Sequence, residues 1–181
     1  MRIVAGTLRG RTLAGPKWEG LRPTSDSLRG TLFNVLGPTI NGLRVLDAFA
    51  GTGAVGIEAI SRGAAHATFV ERDARAVSLM EENVTRLNVQ NACAIVRADF
   101  MIPRPLGGPF DLVFLDPPYE LPGIDDALAR AAAQTAPAGR VVFEHSRRRE
   151  LPPAAAGLTK YRTLVAGDSA LSFYTATKEG G

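Results

Sequence analysis

From Leu43 onward, short apolar runs alternate with longer amphipathic segments, and this alternation constrains the fold more than any other feature of the sequence. The apolar runs cover residues 44–49, 67–71, 93–99, 110–116 and 140–145. Segments with helical spacing cover about 53–62, 73–88 and 124–135. Strands separated by helices predict βαβ units and a parallel sheet that is covered on both faces. We therefore expect an α/β fold with a doubly wound, Rossmann-like sheet.

The two ends of the chain lack this alternation. Residues 2–13 are expected to form a short hairpin, and residues 22–36 a helix that Thr24 or Ser25 caps. Gly37 with the proline after it should end that helix.

The tail, residues 161–177, should form two strands joined at Gly167-Asp168, an antiparallel hairpin that closes one edge of the sheet. The sequence thus predicts two parts, an N-terminal extension of residues 1–40 and a main domain of residues 41–181.

Positive charge is concentrated at the start of the chain. The 181 residues carry a net charge of +3, whereas residues 1–30, which we call the basic arm, carry +4 and leave −1 for the rest. The basic side chains of the arm are Arg2, Arg9, Arg11, Lys17, Arg22 and Arg29. A basic arm on a near-neutral body indicates a polyanionic partner such as nucleic acid, to which these side chains would bind.

Several classes of protein are excluded by composition. Cys93 is the one cysteine, so no internal disulfide can form, and no uncharged run approaches the roughly 20 apolar residues of a membrane span. The first residues do not resemble a signal peptide. We therefore expect a soluble, cytoplasmic, monomeric protein. No metal-ligand spacing is present, so we expect no metal site.

Four of the apolar runs end in an acid. Asp47, Glu71, Asp99 and Asp116 each close a predicted strand. The carboxyl ends of parallel strands lie at one edge of a sheet, where ligands bind in doubly wound folds. Acids also cap strand ends and helices for structural reasons, but four in the same position favour a common site.

A glycine loop follows the first predicted strand. Gly51-x-Gly53-x-x-Gly56 matches the dinucleotide fingerprint, and Glu71 is placed to accept from a ribose diol. The carboxylate of Asp47 would repel a pyrophosphate, however, and it suits a ligand with a cationic head, such as S-adenosylmethionine. Asp99 would accept from the adenine amino group, and Phe100 would pack on the adenine or in the core.

The sequence Asp116-Pro117-Pro118-Tyr119 closes the most apolar strand. Proline has no backbone donor and cannot continue a ladder, so the carbonyls here remain available as acceptors. Asp116 and the Pro117 carbonyl would each accept one hydrogen of an exocyclic amine, while Tyr119 stacks on the base. Such hydrogen bonds would localise the nitrogen lone pair for attack on a methyl group, and Asp116 or a water would take the proton.

These motifs resemble the class I S-adenosylmethionine-dependent methyltransferases that act on amino nitrogens. The segments RPTSDSLRGTLFNVL, VLDAFAGTGAVGIEAISRGA, FVERD with Asn83, and DLVFLDPPY are similar to the RsmD-like methylases, which modify guanine N2 in 16S ribosomal RNA. The resemblance covers about residues 1–175.

What the resemblance implies is an rRNA guanine-N2 methyltransferase that acts on 16S rRNA, with S-adenosylmethionine as its cofactor. The implied catalytic residues are Asp116, Pro117, Pro118 and Tyr119. The implied cofactor residues are Asp47, Phe49, Gly51, Gly53, Glu71, Arg72, Asp99 and Phe100, and contacts to RNA or cofactor are implied for Arg22, Thr24 and Arg29. Two alternatives remain: transfer to another amino group, such as adenine N6 in DNA or a protein glutamine, and a dinucleotide-binding dehydrogenase.

Three further features have a structural explanation beside a functional one. His145 at a strand end is expected to be a hydrogen-bonded structural residue rather than a base. Trp18 would stack on an RNA base or anchor the basic arm. The run from Arg147 to Arg149 is expected to be a solvated loop.

Overall fold

A computed structural model describes residues 1–18 and 25–176, except for the side chains of residues 38 and 39. The chain divides into two compact units, Met1–Phe100 and Met101–Gly181. Among the described residues, no helix is both long and apolar enough to cross a membrane.

The first unit begins with a short hairpin and a helix. The predicted short hairpin is confirmed: Arg2 and Thr12 form an antiparallel bridge, the Ile3 amide donates to the Arg11 carbonyl at 2.9 Å, and the Leu13 amide donates to the Met1 carbonyl at 3.0 Å. Helix α1 (Asp26–Leu36) then follows, with Ser25 as its cap because the Ser25 side chain accepts from the Leu28 amide. The buried face of α1 carries Leu28, Leu32, Phe33 and Leu36. The predicted helix is confirmed, and of the two expected caps Thr24 lies outside the described residues.

Three parallel strands form the sheet of the first unit. They are β1 (Arg44–Asp47), β2 (His66–Glu71) and β3 (Cys93–Arg97), with β2 in the middle. Helix α2 (Ala54–Ser61) connects β1 to β2, and α3 (Ala74–Arg86) connects β2 to β3. This is the βαβ arrangement that the alternation predicted.

The strands of the second unit pair first in parallel and then antiparallel. Strand β4 (Phe110–Leu115) leads through α4 (Ile124–Gln134) to β5 (Thr135–Ser146), which pairs with it in parallel. The tail then adds three antiparallel strands in the order β5-β8-β7-β6: β6 (Ala154–Ala155), β7 (Leu158–Ala166) and β8 (Ser169–Ala176).

The predicted C-terminal hairpin is confirmed and consists of β7 and β8. Strand β8 pairs with β5, so the hairpin lies at one edge of the parallel strands, as expected. The short strand β6 was not predicted. Strand β5 also begins at Thr135, immediately after α4, rather than at residue 140.

Candidate active site

The glycine loop connects β1 to α2 and is shaped by left-handed backbone. Gly51 has φ 52° and Gly53 has φ 76°, a region in which other residues are strained. A Cβ on Gly53 would also lie 2.8 Å from the Met80 side chain. Asp47, at the end of β1, is buried and accepts from the Gly56 amide at 3.0 Å. The loop is therefore held by its own strand and packs too closely for larger residues.

Glu71, the last residue of β2, lies against this loop. One carboxylate oxygen accepts from the Gly51 amide at 2.9 Å, and the other accepts from the amides of Arg72 and Asp73, both at 2.8 Å. A carboxylate has about four acceptor positions, so these three bonds leave about one for a further donor such as a ribose hydroxyl. The position expected for a diol acceptor is thus fixed beside the loop.

Asp99 and Phe100 follow β3 at the same edge of the sheet. Asp99 pairs with Arg72 at 3.4 Å, and the Arg72 side chain is largely exposed. Phe100 is buried, and its ring meets the Phe49 ring edge-on at a centroid distance of 5.5 Å. Of the two rings, that of the half-buried Phe49 retains exposed surface, while Phe100 packs in the core.

The carboxyl edge of β1, β2 and β3 therefore carries three of the four predicted acids. This edge suits a ligand that carries positive charge and hydroxyl groups, because the carboxylates of Asp47 and Glu71 lie at the glycine loop. A pyrophosphate would be repelled by the same charges. The fourth acid, Asp116, follows β4 in the second unit.

The Asp-Pro-Pro-Tyr motif forms the loop after β4. Pro117 is buried, whereas Asp116 and Tyr119 are half-buried and Pro118 is exposed. The Pro118 carbonyl accepts from the Leu121 amide at 2.9 Å, so that carbonyl closes a turn. The Tyr119 hydroxyl lies 2.6 Å from Ser169 Oγ, and the Tyr119 carbonyl accepts from Arg149 at 2.8 Å.

A small cavity lies beside this motif in the second unit. Its volume of about 10 Å³ has room for about one water molecule. A purine does not fit inside it. The cavity is lined by Pro117, Pro118, Tyr119, Glu144, His145 and Arg149, among others.

His145 in this cavity has partners on both ring nitrogens. Nδ1 lies 2.9 Å from the Ser146 carbonyl, and Nε2 lies 2.9 Å from Ser172 Oγ. Burial lowers the pKa of His145, which favours the neutral ring. The expectation of a hydrogen-bonded structural histidine is confirmed.

The predicted RNA contacts of the basic arm fall into three groups. Arg2, Arg9 and Arg11 are exposed. Arg22 and Thr24 lie outside the described residues. Arg29 is fully buried, which corrects the expectation that it contacts RNA or cofactor.

The surroundings of Arg29 explain its burial. Its guanidinium donates to Asp26 at 2.8 Å and to the Arg2 carbonyl at 2.6 Å. Arg29 thus joins α1 to the start of the chain, and the buried cation is stabilised by these acceptors.

Polar residues on α2 fix the basic arm to the glycine-loop helix, and sequence reasoning did not find them. Glu58 is fully buried and accepts from the Val4 and Ala5 amides at 2.8 and 2.9 Å. Ser61 Oγ donates to the Ala5 carbonyl at 2.6 Å and accepts from the Leu8 amide at 3.0 Å. The signal was a glutamate within the apolar helix AVGIEAIS, where a charged side chain needs buried partners.

Two residues of α3 hold the later part of the arm. Asn83 is fully buried; its side chain accepts from the Ala14 amide at 2.7 Å and donates to the Thr52 carbonyl in the glycine loop at 3.3 Å. The Arg75 guanidinium lies 5.3 Å from the centre of the Trp18 ring. Trp18 therefore packs on α3, in line with the anchoring alternative.

Known proteins resemble the chain over nearly its whole length. The family model described as Conserved hypothetical protein 95 matches residues 1–175. The ribosomal RNA small subunit methyltransferase D of Escherichia coli is 35% identical over 99% of this chain and 92% of its own.

Solved structures share the fold. One from Escherichia coli is 32% identical, with a TM-score of 0.86 over 99% of both chains. An RNA methyltransferase from Salinibacter ruber, solved with S-adenosyl-L-homocysteine, has the same fold at 18% identity, with a TM-score of 0.65 over 88% of this chain and 97% of its own. The predicted Rossmann-like methyltransferase fold is thereby confirmed, and the chain belongs to the conserved hypothetical protein 95 family, which is the RsmD family.

Proposed function

We propose that the protein transfers a methyl group from S-adenosylmethionine to the exocyclic N2 amine of a guanine in 16S rRNA of the small ribosomal subunit. The observation that carries the proposal is the Asp116–Tyr119 loop directly after β4, in which a carboxylate and an anchored aromatic ring stand in one short segment. Membership of a family with a ribosomal RNA methyltransferase as a full-length relative supports the substrate class.

The cofactor residues belong to the first unit. We assign them as Asp47, Phe49, Gly51, Gly53, Glu71, Arg72 and Asp99. Phe100 packs in the core and contributes through its edge-on contact with the Phe49 ring. Asp47 supplies a buried negative charge that favours a cationic ligand, and Glu71 retains acceptor capacity for a ribose hydroxyl. S-adenosylmethionine supplies an electrophilic methyl group when bound.

The amine is activated by the second unit. The lone pair of a guanine N2 amine is delocalised into the ring, which makes it a poor nucleophile. Asp116 and the Pro117 carbonyl accept one amine hydrogen each and so localise the lone pair, while the Tyr119 ring stacks on the base. Asp116 then stabilises the positive charge that develops on the nitrogen and takes the proton, directly or through water.

RNA binding is assigned to the basic arm and to residues 1–40 as a substrate-facing extension. Arg2, Arg9 and Arg11 are exposed cations on a segment that Glu58 holds in place. Cations at fixed positions bind phosphates with a smaller loss of conformational entropy than cations on a free tail. Arg22 and Thr24, which lie outside the described residues, are assigned to RNA binding as well. We also propose that the protein is a cytoplasmic monomer that binds the small subunit.

The test compares Asp116→Ala with Glu120→Ala, an exposed acid in the same loop. Calorimetry should give S-adenosylmethionine affinities within about twofold of wild type for both variants, because Asp116 is not among the assigned cofactor residues. Transfer of labelled methyl to small subunits that lack the modification should be abolished by Asp116→Ala and retained by Glu120→Ala. Full turnover by Asp116→Ala would remove this residue from the chemistry, and tight NADH binding without S-adenosylmethionine binding would identify a dehydrogenase instead.

A further inference from the structure

The three consecutive arginines after β5 have different surroundings. Arg147 is exposed and forms an ion pair with Asp168 at 3.7 Å. Arg148 is exposed, and its backbone amide donates to Ser146 Oγ at 3.3 Å. Arg149 is half-buried and lines the cavity beside the Asp-Pro-Pro-Tyr motif. The expected solvated loop thus contains one side chain that turns inward.

Arg149 binds the backbone of the motif loop. One guanidinium nitrogen donates to the Tyr119 carbonyl at 2.8 Å and to the Leu121 carbonyl at 3.3 Å. Bonds from a charged donor are about twice as strong as neutral ones. A single cation therefore spans the turn that the Pro118 carbonyl and the Leu121 amide close.

Ser169 holds the other end of the same tyrosine. The Tyr119 hydroxyl lies 2.6 Å from Ser169 Oγ, and Ser169 is the first residue of β8. Ser169 pairs with Ser146, the last residue of β5, three residues before Arg149. Both anchors of Tyr119 thus come from one end of the β5–β8 pair.

The loop needs such anchors because its prolines supply no backbone donors. A ring that must stack on a base loses less entropy on binding when its position is already fixed, and correct placement of the reacting amine is worth a large factor in rate. We propose that Arg149 and Ser169 are positioning residues that fix the Tyr119 ring for base stacking. This inference rests on the proposed function.

The experiment compares Arg149→Ala with Arg148→Ala, which removes the same charge without touching the loop. Three quantities are measured on the full-length protein: amide exchange at Leu121, calorimetric affinity for S-adenosylmethionine, and the single-turnover rate on unmodified small subunits. Arg149→Ala should accelerate exchange at Leu121 and lower the rate by roughly 10- to 100-fold. Its cofactor affinity should stay within about twofold, and Arg149→Lys should regain part of the rate because one ammonium can donate to both carbonyls.

Ser169→Ala provides the second arm of the experiment and removes no charge. It should also lower the single-turnover rate. The double variant with Arg149→Ala should lose a smaller factor in rate than the product of the two single losses, because both residues act through Tyr119.

Outcomes for the two proposals are separable. Equal rates and equal Leu121 exchange in Arg149→Ala and Arg148→Ala would overturn the positioning role while leaving the proposed function intact. Faster exchange with an unchanged rate would show that the anchor is structural and would also overturn it. A wild-type protein that transfers no methyl to small subunits would overturn the proposed function and this role together. A loss of cofactor affinity equal to the loss of rate would indicate general misfolding and refute a local role.

Discussion

Replacing Glu58 by glutamine tests whether a buried carboxylate holds the basic arm in place. The Glu58 side chain has no exposed surface, and its two oxygens accept from Val4, from Ala5 and from Arg62 Nε at 2.8 Å. Glutamine keeps one acceptor oxygen and puts an amide donor in place of the other. Either the Val4 amide or the Ala5 amide then loses its hydrogen bond to the carboxylate and faces the side-chain N–H of the glutamine instead.

The magnitude follows from these contacts. Loss of a hydrogen bond to a charged group, together with a poorly solvated N–H left without an acceptor, costs about 3 kcal/mol. With a urea m-value of about 2 kcal/mol/M, the unfolding midpoint should fall by about 1.5 M. If the arm detaches before the core unfolds, part of this loss appears as faster amide exchange at Val4 and Ala5.

The assay is urea unfolding combined with amide exchange, and Glu81→Gln on exposed α3 surface is the matched control. The control should change the midpoint by less than about 0.2 M. A Glu58→Gln protein with the midpoint of the control and with unchanged protection at Val4 and Ala5 would refute the role of Glu58 in holding the arm.

Three other predictions concern the arm and the helix α3. Arg9→Ala and Arg11→Ala should each reduce the salt dependence of RNA binding, by about 0.7 to 0.9 in slope for each phosphate that the variant no longer neutralises; an unchanged slope would exclude the arm as the RNA-binding surface. Asn83→Ala should lower the free energy of unfolding by about 2 kcal/mol and loosen both Ala14 and the glycine loop, whereas the exposed neighbour Glu82→Ala should not. Asp73 caps α3, and its hydrogen bonds to Arg75 lower its pKa from 3.8 to about 2. The stability lost in Asp73→Ala should therefore be constant above about pH 5 and vanish as the pH falls through about 2, and a difference that persists in acid unfolding below pH 2 would contradict this.

Elements with strong local signals were predictable from the sequence. Helix α1 has a capping serine, four apolar residues on one face and a glycine at its end, so each local preference agrees with the final structure. The first four predicted strands were found within about two residues of their expected bounds. The apolar runs that define β1, β2 and β4 are mostly buried, whereas the residues of β3 are half-buried or exposed.

The start of β5 could not be predicted, because residues that are typical of a turn form part of a paired strand there. Residues 135–139 contain Pro137 and Gly139, which are typical of a turn rather than a central strand. Thr135 nevertheless pairs with Phe110, and an irregular register before Leu112 absorbs the mismatch. Only the tertiary structure shows this pairing.

The candidate site was predictable as a set of residue types and less so as a set of contacts. The acids at the strand ends and the glycine loop follow local chain order, so their placement in each unit was expected. Arg29 and Arg149 were misjudged for one reason: charged side chains are usually exposed, and the backbone carbonyls that bind these two come from elsewhere in the chain. Sequence spacing carries no information about such partners.

The identity of the methylated nucleoside tests the central claim most directly. Small subunits from a strain that lacks this activity are incubated with the protein and labelled S-adenosylmethionine, and their RNA is digested and its nucleosides separated. The proposed reaction predicts label in N2-methylguanosine from 16S rRNA, and none with Asp116→Ala. Label in N6-methyladenosine or in ribosomal protein instead, or no label in the RNA at all, would contradict the account.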